Sequence, residues 1–171
     1  MTEEAKQEIF HNWLDKYRAL FFKVIRIYAF NDYDRTDLFQ EISLQVWRSI
    51  PSFRAESSES TWLYRIALNT SIKWIKTEKK HNSNHQQLDD KVAGALKANP
   101  VQTDEKLSWL YDQIGKMNEI EKSLCLLLFE GFSYKKMAEL LGISESNVAV
   151  KIHRIKKTLM SESQKFEDHG V

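Results

Sequence analysis

Apolar residues recur at intervals of three and four along most of this chain. Glycine and proline, the residues that most readily end a helix, occur only five times and twice in 171 positions. That pattern predicts an all-α fold: a spacing near 3.6 lines up one face of a helix, whereas a half-buried strand needs strict alternation. No segment alternates in that way, and no internal repeat is present. Phe10, Trp13, Leu14, Tyr17, Phe21, Val24 and Ile25 mark one helix from Glu8 to Tyr28. A second is expected from near Thr36, whose hydroxyl can cap it, to Ile50, where Pro51 pushes its neighbour out of helical geometry. Residues 52–60 are polar and loop-like, and a third helix is expected over 61–80.

The periodicity then lapses. From His81 the chain reads His-Asn-Ser-Asn-His-Gln-Gln, and before Asp104 it reads Lys-Ala-Asn-Pro-Val-Gln-Thr. Apart from a short turn around Val92 to Leu96, this composition predicts a flexible polar linker over 81–104, between one small helical domain at 1–80 and another at 105–171. With 42% apolar residues the chain has ample material for two compact cores. At about 3.3 Å per residue the linker spans several tens of ångströms when extended, enough for the two domains to engage separated sites. Helices are expected to resume over Glu105 to Met117 and Glu119 to Glu130.

The segment that follows reads as a helix-turn-helix. Ser133 supplies a cap for its first helix, Gly142 permits the left-handed residue of a tight turn, and Ser144 caps the second helix. On a helical wheel Val148, Ile152, Ile155 and Leu159 share one arc, while Ser146, Asn147, Val150, Arg154 and Lys157 fall opposite. One side anchors the helix and the other is free to enter a groove. Ser146, Asn147, Val150, Lys151 and Arg154 are therefore assigned to the major groove, and Lys157 with the backbone near Ser133 and Ser144 to phosphates. The competing reading, a basic amphipathic helix on a partner or a membrane surface, does not account for the glycine turn between two capping serines.

Bulk charge is uninformative, with 25 basic against 24 acidic residues, but its distribution is not. Between Asn31 and Ser60 six acids face three bases; between Thr61 and Lys80 five bases face one acid. The charged N-terminus, Thr2-Glu3-Glu4-Ala5-Lys6, carries no apolar run of a signal peptide or membrane span, so a cytoplasmic protein is expected. The lone Cys125, within Leu124-Cys125-Leu126-Leu127, excludes disulfide and cysteine-zinc frameworks and reads as a small buried hydrophobe. The histidines at 11, 81, 85, 153 and 169 form no metal-binding pattern, and neither a phosphate-cradling glycine loop nor a nucleophile elbow is present. No catalytic residue, metal or cofactor is expected.

Two blocks in fixed order carry a family resemblance. The first is Asp37-Leu38-Phe39-Gln40-Glu41 leading to Val46-Trp47, Phe53, Thr61-Trp62-Leu63-Tyr64-Arg65-Ile66-Ala67 and Asn69. The second is Phe129-Glu130-Gly131-Phe132-Ser133-Tyr134, Met137-Ala138, Leu141-Gly142-Ile143-Ser144, Val148 and His153-Arg154. Together they resemble the bacterial sigma factors of the extracytoplasmic-function group, which direct RNA polymerase to promoters. The resemblance implies that the helix over Asp37 to Ile50 docks on the largest polymerase subunit. Asp37, Gln40, Glu41, Leu44 and Arg48 would supply the contacts, with Phe39, Ile42, Val46 and Ile50 packing inward. Trp47, beside that face, is core or anchor, and core is the preferred reading.

The same resemblance implies that the loop with Ser57, Ser58 and Ser60 and the helix after it capture an unstacked base of the non-template strand. Single strands are held by aromatic stacking and cationic backbone contacts. Arg65, Asn69, Lys73, Lys76 and Lys80 are the expected contacts; Leu63-Tyr64 and Ile66-Ala67 are expected to pack, and Trp62 and Trp74 fit stacking and core equally well. Lysine stands at 76, 79 and 80 where the family favours arginine, and Lys73 where it favours an acid. Asn147 replaces a threonine and Lys151 an arginine, so both promoter elements are expected to be atypical. The implied partners are core RNA polymerase, double- and single-stranded promoter DNA, and in some members an anti-sigma protein. Two rivals remain at this point: an autonomous helix-turn-helix regulator and an interaction module that sequesters polymerase.

Overall fold

The computed structural model describes residues 1–82 and 104–168, the backbone path alone being described at 79–82. Eight α-helices and no strand occur among the described residues: α1 (Glu3–Lys16), α2 (Arg18–Tyr28), α3 (Asp32–Ser49), α4 (Glu59–Asn82), α5 (Glu105–Gly115), α6 (Glu119–Phe129), α7 (Tyr134–Leu141) and α8 (Glu145–Asp168). The chain divides into two compact units, Met1–Thr103 and Asp104–Val171. Most of the expected linker, including the turn around Val92 to Leu96, lies outside the described residues; His81 and Asn82 continue α4.

In the N-terminal unit the single helix expected from Glu8 to Tyr28 is two. Thr2 caps the first by accepting from the Ala5 N–H, and the break falls at Tyr17, with φ −107° and ψ 19°. Neither glycine nor proline causes it. The Tyr17 hydroxyl instead reaches Glu59 at the start of α4, a contact 42 residues away in sequence that local periodicity does not encode. Helix α3 begins four residues before Thr36, because the Asn31 side chain accepts from the Asp34 N–H at 2.8 Å. The Thr36 hydroxyl, far from capping, donates back to the Asp32 carbonyl inside the helix. Pro51 ends α3 as expected, in a short 3₁₀ turn over Ile50–Ser52. Helix α4 starts at Glu59 rather than Thr61, with Ser58 Oγ accepting from the Thr61 N–H.

Helix α4 lies against α2 and α3 over a core that includes Trp13, Phe21, Val24, Tyr28, Leu38, Ile42, Val46, Leu63, Ala67 and Leu68, each at most 4% exposed. Tyr64 is buried and Ile66 half-buried, in line with the packing role expected of them. Phe39 departs from expectation: it is 36% exposed, and Leu38 takes the inward position in its place.

In the C-terminal unit, α6 opens on a capping box in which Asn118 and Glu121 satisfy each other's backbone N–H groups. Its Leu124, Cys125 and Leu127 meet Met137 and Leu140 of α7 and Val148, Ile152 and Ile155 of α8. Helix α5 packs on α6, and Trp109 of α5 lies 5.5 Å from Phe166 near the end of α8.

Candidate nucleic-acid and polymerase interfaces

The helix-turn-helix is built as the serines and glycine predict. Ser133 Oγ accepts from the Lys136 N–H at 3.2 Å, Gly142 takes φ +68°, and Ser144 Oγ accepts from the Asn147 N–H at 3.1 Å. Both hydroxyl oxygens are thus engaged as caps, which leaves their protons as the groups able to reach a phosphate; Ser144 Oγ also lies 3.2 Å from Ser146 Oγ. Val148, Ile152 and Ile155 seat α8 on the core. Ser146, Asn147, Val150, Arg154 and Lys157 are exposed on the other side, Val150 to 49%, while Lys151 is half-buried. His153, not among the predicted contacts, is exposed beside Arg154.

On α4, Trp62, Arg65, Asn69, Lys73, Lys76 and Lys80 follow one another at three- and four-residue steps. They fall within an arc of about 80° at the helical advance of 100° per residue. Arg65, Asn69, Lys73 and Lys76 are exposed, so this stripe is solvated from 65 to 76; the Lys80 side chain lies outside the described residues. Trp62, at its leading end, is half-buried against the Phe53 ring at 5.7 Å, and its indole N–H points to Ser49 Oγ at 3.4 Å. The loop before α4 carries Ser57, Ser58 and Ser60, with Ser58 Oγ 3.1 Å from Ser60 Oγ and donating to Thr61 Oγ1.

Trp74 lies off the stripe. Its indole N–H donates to Asp37 Oδ2 at 2.6 Å, joining α4 to α3. A cleft between the two helices is lined by Asp37, Glu41 and Gln45 on one wall and by Asn69, Lys73 and Trp74 on the other. Residues assigned to polymerase and to DNA thus meet across one groove. Gln40, Leu44 and Arg48 are exposed on the outer face of α3, Leu44 to 41%. Trp47 is half-buried: Phe10 meets its ring edge-on at 5.3 Å and the Lys6 ammonium sits 4.0 Å from its centroid.

A second groove, which the sequence reading missed, borders α3 on the side of α1 and α2. Leu14, Phe22, Ile25 and Phe39 form its apolar lining and Asp15, Arg18, Asp32 and Arg35 its charged one. Phe39 belongs to this groove and not to the core. Its spacing to Ile42 and Val46 disguised it as a core residue. A usable signal was the adjacent Leu38, whose own spacing to Ile42 and Val46 competes for the same inward position.

A charged cluster ties the start of α4 to the end of α1. Lys16 Nζ lies 2.8 Å from Glu59 Oε2, and the Tyr17 hydroxyl donates to the same oxygen at 2.7 Å. The bond from Lys16, followed by that from Tyr17, holds the Glu59 carboxyl down at about 2. In the C-terminal unit burial pushes the Cys125 thiol up to about 12, and its sulfur lies 3.6 Å from that of Met117. Among the described residues no group of three or more histidine, cysteine, aspartate or glutamate side chains is placed to hold a metal ion, and no helix is long and apolar enough to cross a membrane.

Comparison with known proteins agrees with this division. Residues 13–81 match Sigma-70 region 2 and residues 107–159 match Sigma-70, region 4. The ECF RNA polymerase sigma-E factor of Haemophilus influenzae is 30% identical over 142 residues, covering 77% of this chain and 75% of that protein. The RNA polymerase sigma factor YlaC of Bacillus subtilis is 29% identical, over 77% of this chain and 79% of its own. Among solved structures, the fold is shared with the sigma factor RpoE in complex with the anti-sigma factor NepR from Bartonella quintana, with a TM-score of 0.70 at 17% identity over 94% and 96% of the two chains.

Proposed function

The chain belongs to the extracytoplasmic-function group of the sigma-70 family, and from that premise we propose how its two units divide the work of starting transcription. As a sigma factor it binds core RNA polymerase, directs it to specific promoters and helps melt the DNA. The outer face of α3, with Asp37, Gln40, Glu41, Leu44 and Arg48, docks on polymerase, and the neighbouring groove around Phe39 extends that surface with apolar contact. Apolar area at the centre of a polar rim is what a protein interface needs.

The stripe on α4 holds the non-template strand. Arg65, Lys73 and Lys76 neutralise its phosphates, Asn69 offers an amide to a base edge, and Trp62 presents an aromatic ring at the leading end beside the serine loop. A base leaving the duplex stack costs a few kcal/mol, which these contacts and the loop pocket offset. Trp74, committed to Asp37, braces the docking helix and does not stack. In the C-terminal unit Ser146, Asn147, Val150, Lys151 and Arg154 read the upstream element in the major groove, while Lys157 and the backbone at Ser133 and Ser144 hold phosphates. Polymerisation belongs to the polymerase, so the chain needs no catalytic group, and its place of work is the cytoplasm. An anti-sigma protein, of the kind seen with the Bartonella factor, is a fitting regulator.

The observation that carries this reading is the pairing, in one chain, of an exposed Arg65, Asn69, Lys73 and Lys76 stripe with a capped helix-turn-helix. The test is transcription of fragmented genomic DNA by core polymerase lacking any sigma factor, with and without the protein. New start sites sharing two upstream motifs are expected. Polymerase binding without transcripts would favour a sequestering module, and DNA binding without polymerase binding an autonomous regulator.

A further inference from the structure

We propose that Glu59 is a positioning residue for promoter opening: it fixes the base-capturing loop by tying the start of α4 to the junction of α1 and α2. The loop over 53–58 contains no regular structure, so its shape depends on what holds its ends. At its start Phe53 is held between two rings, edge-on to Trp13 at 5.2 Å and tilted against Trp62 at 5.7 Å. At its end Glu59 accepts from Lys16 at 2.8 Å and from Tyr17 at 2.7 Å on a single carboxylate oxygen. Both donors sit where the first helix breaks, and Tyr17 is the residue of the break.

Between these anchors Ala55 adopts φ +55°, a left-handed conformation that residues with a Cβ avoid. A non-glycine residue stays there only where its surroundings over-determine it, and here the two anchors do so. The consequence is a loop whose shape is set before DNA arrives. Capture of an unstacked base then avoids the entropy of ordering the six residues of 53–58 at the moment of binding. Helices α1 and α2 carry none of the residues assigned to DNA, yet through Lys16 and Tyr17 they set the loop that does.

The inference rests on the reading of this loop as the base pocket, and the experiment separates the two. Holoenzymes are assembled with the wild-type chain, with Glu59→Gln and with Tyr17→Phe. Their affinities are measured for single-stranded non-template oligonucleotides carrying an abasic site stepped through the downstream promoter element. In the wild type an abasic site at the captured position should weaken binding about tenfold, the scale of one stacked base. In both variants that penalty should fall below about threefold, a loss of roughly half its free energy. Holoenzyme assembly and duplex binding at the upstream element should not change. A merely structural role would weaken every oligonucleotide alike and leave the abasic ratio intact, and an intact ratio in both variants overturns the inference while sparing the capture reading. If no position shows a penalty in the wild type, the capture reading falls and the inference with it.

Discussion

Glu59 shows how much one side chain can tie together. Its carboxyl is held down at about 2, first by Lys16 and then by Tyr17, against an ordinary value of 4.5. A group whose folded value is depressed stabilises the fold above its unfolded value, and that contribution disappears as pH falls through the folded value. The stability difference between the wild type and Glu59→Gln, followed by thermal unfolding, should therefore be constant from neutral pH down to about 5 and shrink below about 4.5. A difference that persisted unchanged at pH 3 would remove the ion pair as its cause. Other residues were only partly legible. Trp74 fitted both stacking and core, and the structure adds a tie that neither reading contained, the bond from its indole nitrogen to the Asp37 carboxylate at 2.6 Å. Phe39 read as core by spacing and is exposed, because Leu38 fills the inward site and a groove opens between α2 and α3.

At the scale of elements, capping chemistry was the most legible signal and long-range contact the least. Ser133, Gly142 and Ser144 delimit α7 and the turn into α8 as their residue types demand. Gly142 has nothing within 4 Å of where a Cβ would sit, so substitution there meets no clash and only backbone strain. Gly142→Ala should cost about 1 kcal/mol in denaturant unfolding, with the slope of the transition unchanged. An unaltered midpoint would mean that the turn relaxes freely. The exposed face of α8 makes a second prediction: Lys157→Ala should flatten the log–log salt dependence of duplex binding by about 0.9, as expected for one lost phosphate contact. Arg154→Ala should instead lower discrimination between cognate and altered upstream elements. The same salt slope for both variants would end the distinction between phosphate and base contacts. The break between α1 and α2 had no such local mark; Tyr17, the residue at the break, bonds a partner more than forty residues away.

For the whole molecule, the separation into two compact units makes the division of labour testable. Asp37→Ala with Glu41→Ala should weaken polymerase binding about tenfold, the loss of more than one kcal/mol at an interface, and leave duplex binding at the upstream element unchanged. Arg154→Ala should do the reverse, and an equal loss of polymerase affinity in both variants would refute the division. The sequence by itself determined the all-helical class, the end of α3 at Pro51, the starts of α5 and α6 and the helix-turn-helix. These follow from periodicity, caps and proline, which act within a turn or two of the chain. The family was legible for a related reason, since two motifs in fixed order are a property of the linear chain. Only the tertiary structure decided which side chains on each helix stay free. Burial, the Asp37 to Trp74 bond and the Glu59 clamp depend on helices packed from distant segments, and bonds that span 37 and 42 residues of chain leave no periodic trace.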